Sequence, residues 1–166
     1  MFNSAAPPRI LFVAPEAAFI PEKDGNRTNF VCANASGFGD FPAELVSALF
    51  HLGVDVHMAQ PDYRRIFAIS ARNEQTNAGI KLPIDRIHLA EDRAFFYSKP
   101  INSNYDWENL KISLVFQREV IHQIIPRVQP DFIHCYDWMT GLIPVSYTHL
   151  RAHETTASIA YAVFCL

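Results

Sequence analysis

An apolar run, Phe132 to Cys135, opens directly onto a cluster of polar side chains: His134, Tyr136, Asp137, Trp138 and Thr140. In an open α/β sheet, ligands bind just past the carboxyl ends of the strands. Imidazole, phenol, carboxyl and indole groups delivered there can hydrogen-bond a small polar ligand. Each also has a purely structural reading. His134 could be a core histidine, Asp137 a helix cap, and Trp138 a packing residue with one satisfied N–H. Glu16, at the end of an earlier apolar run, could be a ligand carboxylate or could brace a loop.

A second candidate is Ser36-Gly37-Phe38-Gly39-Asp40. Two glycines before a helix let backbone N–H groups approach an anion, and the helix dipole favours negative charge there. By itself such a pair is usually just a turn.

The elements that must position these groups follow from pattern. Ile10–Ala14 reads as a buried parallel strand. Glu16 to Gly39 is a long loop, of a length usually associated with function or disorder. Asp40 can cap a helix running to Leu52, with Pro42 in its first turn and Leu45, Val46, Leu49 and Leu52 on one face. Gly53 should end it in the left-handed conformation. Val54–Ala59 is a second strand stopped by Gln60-Pro61, which completes a right-handed βαβ unit. Short β-like runs within Ile80–Ser98 suggest a β-rich excursion. Trp107–Ile125 is a helix, with Leu110, Leu114, Val115, Ile121 and Ile125 on its inner side and Pro126 ending it. Phe132–Cys135 is a further strand, and Trp138 begins another helix. The expected fold class is α/β: a Rossmann-like parallel sheet with helices on both faces.

Composition narrows the function. The net charge is −3, so there is no basic face for nucleic acid and no basic amphipathic stretch for a membrane surface. At 49% hydrophobic the chain can bury a core. The cysteines show neither metal-ligand spacing nor a disulfide framework. Nothing near Met1 resembles a signal peptide. A cytoplasmic protein without metal or cofactor is expected.

The segment Pro130 to Gly141 resembles the motif Pro-Asp-(apolar)-(apolar)-His-x-His-Asp-Trp-(His/Gln)-(Thr/Ala)-Gly of bacterial glycogen synthases and plant starch synthases. Gly37 to Arg64 is similar to a second block of that family, Lys-x-Gly-Gly-Leu-Gly-Asp followed by a helix ending Leu-Gly, a strand and Pro-x-Tyr. Ile10 to Glu16 resembles its first strand and Ser-Glu. The spacing follows the family except for an enlarged 17–32 loop.

The resemblance implies a GT-B glycosyltransferase, of which residues 1–144 form most of the N-terminal, acceptor-side domain. Such enzymes move glucose from a nucleoside diphosphate glucose, with ADP-glucose expected, to the non-reducing end of an α-1,4-glucan. They retain the anomeric configuration and use no metal. By the same resemblance, Tyr136, Asp137 and Glu108 take catalytic positions. Asn34, Ser36, Gly37, Gly39 and Asp40 take donor or phosphate positions, and Glu16, His134, Trp138 and Thr140 sugar or acceptor positions. The chain departs from the pattern in several places. The family's Lys falls at Asn34, its first Gly at Ser36, its second His at Tyr136, its next His or Gln at Met139 and its Asp at Glu108. These changes suggest a divergent branch. An oxidoreductase domain binding a dinucleotide is disfavoured, because its glycine loop would directly follow the first strand. A non-catalytic glucan- or sugar-nucleotide-binding protein is the alternative.

Val145 to Thr155 matches one translated frame of a transposase sequencing adapter, and Ile159 to Leu166 nearly matches its continuation. Residues 145–166 are therefore expected to be a non-native tail.

Overall fold

The computed structural model describes residues 7–16, 40–62, 82–95, 107–152 and 161–165. Five parallel strands form one sheet in the order β3-β2-β1-β4-β5. They are β1 (Arg9–Val13), β2 (Asp55–Pro61), β3 (Ile87–Ala90), β4 (Phe132–Tyr136) and β5 (Tyr161–Cys165). β1 is central, pairing Arg9 to Val13 with Asp55 to Ala59 of β2, and Ile10 to Val13 with Phe132 to Cys135 of β4. Being covered on both faces, it reads as a continuous apolar run, and Leu11, Phe12 and Val13 are fully buried.

Helix α1 (Asp40–His51) covers one face, with Ala43 and Val46 packed against Phe12, Ala14, Val56 and Met58. On the other face, α2 (Trp107–Glu119), a π-helical segment (Val120–Ile124), α3 (Ile125–Val128) and α4 (Leu142–Ala152) close over Leu11, Val13, Ile133 and Cys135. Burying one such side chain contributes about 1.5–3 kcal/mol. Gly53 does end α1 in the left-handed region, at φ 79°. Its N–H donates to Phe50 O and that of Val54 to Leu49 O. This is a Schellman closure, which a side chain on residue 53 would strain.

Several expectations are corrected. Leu52 is 79% exposed, so the inner stripe of α1 is Ala43, Val46 and Ser47, with Leu45 and Leu49 half-buried. β2 runs on through Gln60-Pro61. Its pairing with β1 has ended at Ala59, so the missing N–H of Pro61 costs no ladder bond there. Ile87–Ala90 is no excursion but the edge strand of the main sheet, and Arg93–Phe95 forms a 3₁₀ turn. Leu110 and Leu114 face outward, while Asn109, Ile112, Ser113, Phe116 and Gln117 face inward. Pro126 does not end the long helix. Ile125 N–H bonds Val120 O across the wider π turn, and the chain continues past the proline. The helical path stops at Gln129, whose φ is 51°.

The amino ends of the strands are tied by charge. The Asp55 carboxylate accepts from Arg9 Nε at 2.8 Å and also from Arg86. Arg9 and Asp131 are joined in both directions, Arg9 N–H to the Asp131 carboxylate and Asp131 N–H to Arg9 O. Burial alone would raise the Asp55 pKa, but the hydrogen bonds and charges of Arg9 and Arg86 hold it below the ordinary carboxylate value. Beside it, His57 Nδ1 lies 2.9 Å from His88 Nε2.

Candidate functional site at the carboxyl ends of β1 and β4

The order of the strands reverses between β1 and β4, so their carboxyl ends form the topological switch point where open α/β sheets bind ligands. Glu16 is buried just beyond β1. β4 alternates its side chains: Ile133 and Cys135 enter the α2 face, while His134 and Tyr136 lie on the α1 face. The His134 ring stacks on Phe12 with centroids 4.3 Å apart. Its Nε2 is buried and meets no hydrogen-bond partner among the described residues. Burial lowers its pKa, which favours the neutral ring.

Tyr136 stacks on Phe41 at 5.6 Å. Phe41 stands in the first turn of α1, so this contact sets the helix's positive N-terminal end over the exit of β4. The residue that follows the second stretch singled out in the sequence thus meets the first in space. Asp40 begins the helix. Asn34, Ser36, Gly37 and Gly39 lie outside the described residues, as does the enlarged 17–32 loop.

After β4 the backbone turns sharply. Asp137 sits at φ 72°, ψ 159°, a region that costs a non-glycine residue about 1–3 kcal/mol. Its carboxylate accepts the N–H of Trp138. Burial raises its pKa, and that hydrogen bond works the other way. Thr140 is fully buried. Its hydroxyl lies 3.0 Å from Tyr136 O and 2.8 Å from Asp137 O, folding back onto its own turn. Trp138 packs half-buried against the α2-side core. Glu108 is exposed in the first turn of α2, on the helix layer covering the opposite face from His134 and Tyr136.

Sequence reasoning passed over Gln60 and Asp62, which are buried at the carboxyl end of β2. A polar pair ending an apolar strand was the available signal. It also passed over Ser113 and Gln117 of α2. Ser113 Oγ donates to Met139 O at 3.0 Å, and Gln117 Oε1 accepts the N–H of Leu142. Among the described residues, no group of three or more His, Cys, Asp or Glu side chains is placed to hold a metal ion. No described helix is long and apolar enough to cross a membrane.

Fold and site together define a Rossmann-like α/β domain, with aromatic and carboxyl groups gathered where a helix N-terminus meets the switch point. The starch synthase catalytic domain family matches residues 9–166, and the chain belongs to that family. It is 32% identical over 136 residues to glycogen synthase 2 of Geobacter sulfurreducens, covering 68% of this chain and 28% of that protein. It is 25% identical over 155 residues to glycogen synthase of Moorella thermoacetica, covering 84% and 29%. Over another 155 residues it is 30% identical to glycogen synthase of Clostridium botulinum, covering 82% and 29%. The chain thus spans about 28–34% of the length of the curated relatives it matches.

Proposed function

We propose that this chain is the acceptor-side part of a retaining glucosyltransferase of glycogen synthesis. It moves glucose from a nucleoside diphosphate glucose, ADP-glucose first among them, to the non-reducing end of an α-1,4-glucan. The observation that carries the reading is the Phe41–Tyr136 contact, which sets a helix N-terminus over the polar exit of β4. The names of the relatives support the reaction.

Such a transfer breaks the bond between the anomeric carbon and the diphosphate, and the diphosphate leaves with the electron pair. The helix dipole and backbone N–H groups at the start of α1 suit that developing negative charge. Tyr136 and His134 hold sugar hydroxyls, each with a ring stacked against phenylalanine. His134 is neutral near pH 7 and can accept or donate at Nε2. Asp137, lifted by burial, holds a hydroxyl from the strained turn. Asn34 and Ser36 stand where the family carries Lys and Gly. Tyr136 stands where it carries His, so the reading is of a divergent branch.

The test is calorimetric titration with maltooligosaccharides and with ADP-glucose, beside a radiolabelled glucan-elongation assay. The 166-residue chain alone is expected to bind maltooligosaccharide without elongating it. Binding of a nicotinamide dinucleotide with no affinity for either sugar ligand sinks the reading. The replacements at Asn34 and Tyr136 favour a second reading, a glucan- or sugar-nucleotide-binding protein without transfer. It is preferred if the longest natural form of the protein binds glucan and never extends it.

The reading of residues 145–166 as a non-native tail is likewise our proposal. It rests on the match to adapter sequence. In the structure, Tyr161–Cys165 pairs in parallel with β4, and the family match runs to residue 166. Long reads of the source DNA across the Pro144 codon test it: an unbroken native frame through Leu166 overturns it.

A further inference from the structure

We propose that Gln117 is a positioning residue that clamps the Asp137–Gly141 turn from outside, holding the strained conformation on which the candidate site depends. Gln117 and Ser113 are 3% and 2% exposed, and they lie one helical turn apart on a face shared with Asn109, Ile112, Phe116 and Val120. Gln117 Nε2 donates to Ser113 Oγ at 2.9 Å. Ser113 Oγ donates in turn to Met139 O at 3.0 Å. Gln117 Oε1 accepts the N–H of Leu142.

Each of those backbone groups needs a partner that the turn does not supply. The N–H of Leu142 is the first of α4, and the first N–H groups of a helix have no partner within it. The internal bonds of the turn, Thr140 N–H to Asp137 O and Gly141 N–H to Trp138 O, use neither Met139 O nor Leu142 N–H. Gln117 therefore caps α4 across 25 residues of sequence, and through Ser113 it also holds the middle of the turn. Asp137 at positive φ persists only where its surroundings over-determine it. This relay provides that constraint from a helix buried against the sheet.

The ligand-binding arm of the test rests on the glucosyltransferase reading, whereas the exchange arm does not. In Gln117→Met, amide hydrogen exchange at Thr140, Gly141 and Leu142 should quicken about tenfold relative to the amides of β1 and β2. Maltooligosaccharide affinity should fall several-fold. Gln117→Glu keeps the acceptor for Leu142 N–H and, when protonated, the donor to Ser113. It should recover the affinity, and protection of these amides relative to those of β1 and β2 should rise as pH falls. Equal quickening in the turn and the strands, or no recovery with Gln117→Glu, makes Gln117 an ordinary core group and overturns the proposal. If the Met variant does not fold, Ser113→Ala and the unsubstituted chain decide. A Leu142 amide exchanging like a solvent-exposed one in the unsubstituted chain overturns the proposal. Should that chain bind no sugar ligand while the exchange pattern holds, the functional reading fails and the clamp stands.

Discussion

The two ends of the sheet are built to opposite rules. At the amino ends of β1 and β2, Arg9, Asp55, Arg86 and Asp131 are cross-bonded, with carboxylates facing guanidinium or backbone N–H groups. At the carboxyl ends of β1 and β4 the molecule keeps a buried imidazole nitrogen without a partner among the described residues, a non-glycine residue at positive φ, and a carboxyl whose pKa burial lifts. The first end spends its polar groups on holding strands together. The second leaves polar capacity unspent, at a cost in stability, where the strand order reverses. Unsatisfied and strained groups of this kind cluster at ligand sites.

Substitutions should therefore have opposite consequences at the two ends. The largest effect is expected for Asp55→Ala, which leaves Arg9 and Arg86 facing each other without their shared anion. It should cost about 2–3 kcal/mol in urea denaturation while maltooligosaccharide affinity stays unchanged. A loss of affinity to match the loss of stability would erase the contrast. At the other end, Asp137→Gly should be more stable than Asp137→Ala by about 1–2 kcal/mol, because only glycine relieves the positive φ. Both variants should bind sugar poorly. His134→Phe should keep the stack on Phe12 and remove an unpartnered nitrogen. Its stability should hold or rise by up to about 1 kcal/mol, with sugar binding lost.

A separate effect is expected in the pH response. Burial, then the charges of His57 and Arg127, bring the His88 pKa down to about 4. The unfolded chain takes up that proton near pH 6.5, and the folded chain resists until about pH 4. Stability is thus fully present above pH 6.5 and falls as pH drops toward 4. His57 and His134 are shifted the same way. Thermal midpoints measured between pH 7 and 4.5 should decline, and His88→Gln should flatten part of that slope.

What the sequence revealed was whatever local pattern controls. The apolar runs of β1, β2 and β4 and the glycine stop at residue 53 were legible because each is a short-range choice. The turn at Asp137 was found from its chemistry, but its positive φ left no trace in residue type. The inner face of α2 was misjudged, since counting apolar residues favours Leu110 and Leu114. The true contact uses Asn109, Ser113 and Gln117, and the last two bond the backbone of a turn about two dozen residues away. Edge strand β3 was obscured by its shortness and its histidine. The Arg9–Asp55–Arg86 cluster joins three distant stretches of chain, and no spacing rule points to it.

The π segment at Val120–Ile124 has a consequence for how this helix tolerates change. One extra residue in a turn shifts the angular register of everything downstream by about 100°. At an unbroken α-helical pitch, Ile124, Ile125 and Val128 would be rotated roughly that far from the stripe through Asn109, Ile112, Ser113 and Phe116. With the added residue both stripes face the sheet, and all of these side chains are buried. The helix thus behaves as two phased halves with an inserted spacer. Deleting His122 or Gln123, both exposed, would alter only the spacer, whereas deleting one inside 109–117 would turn a buried stripe toward water.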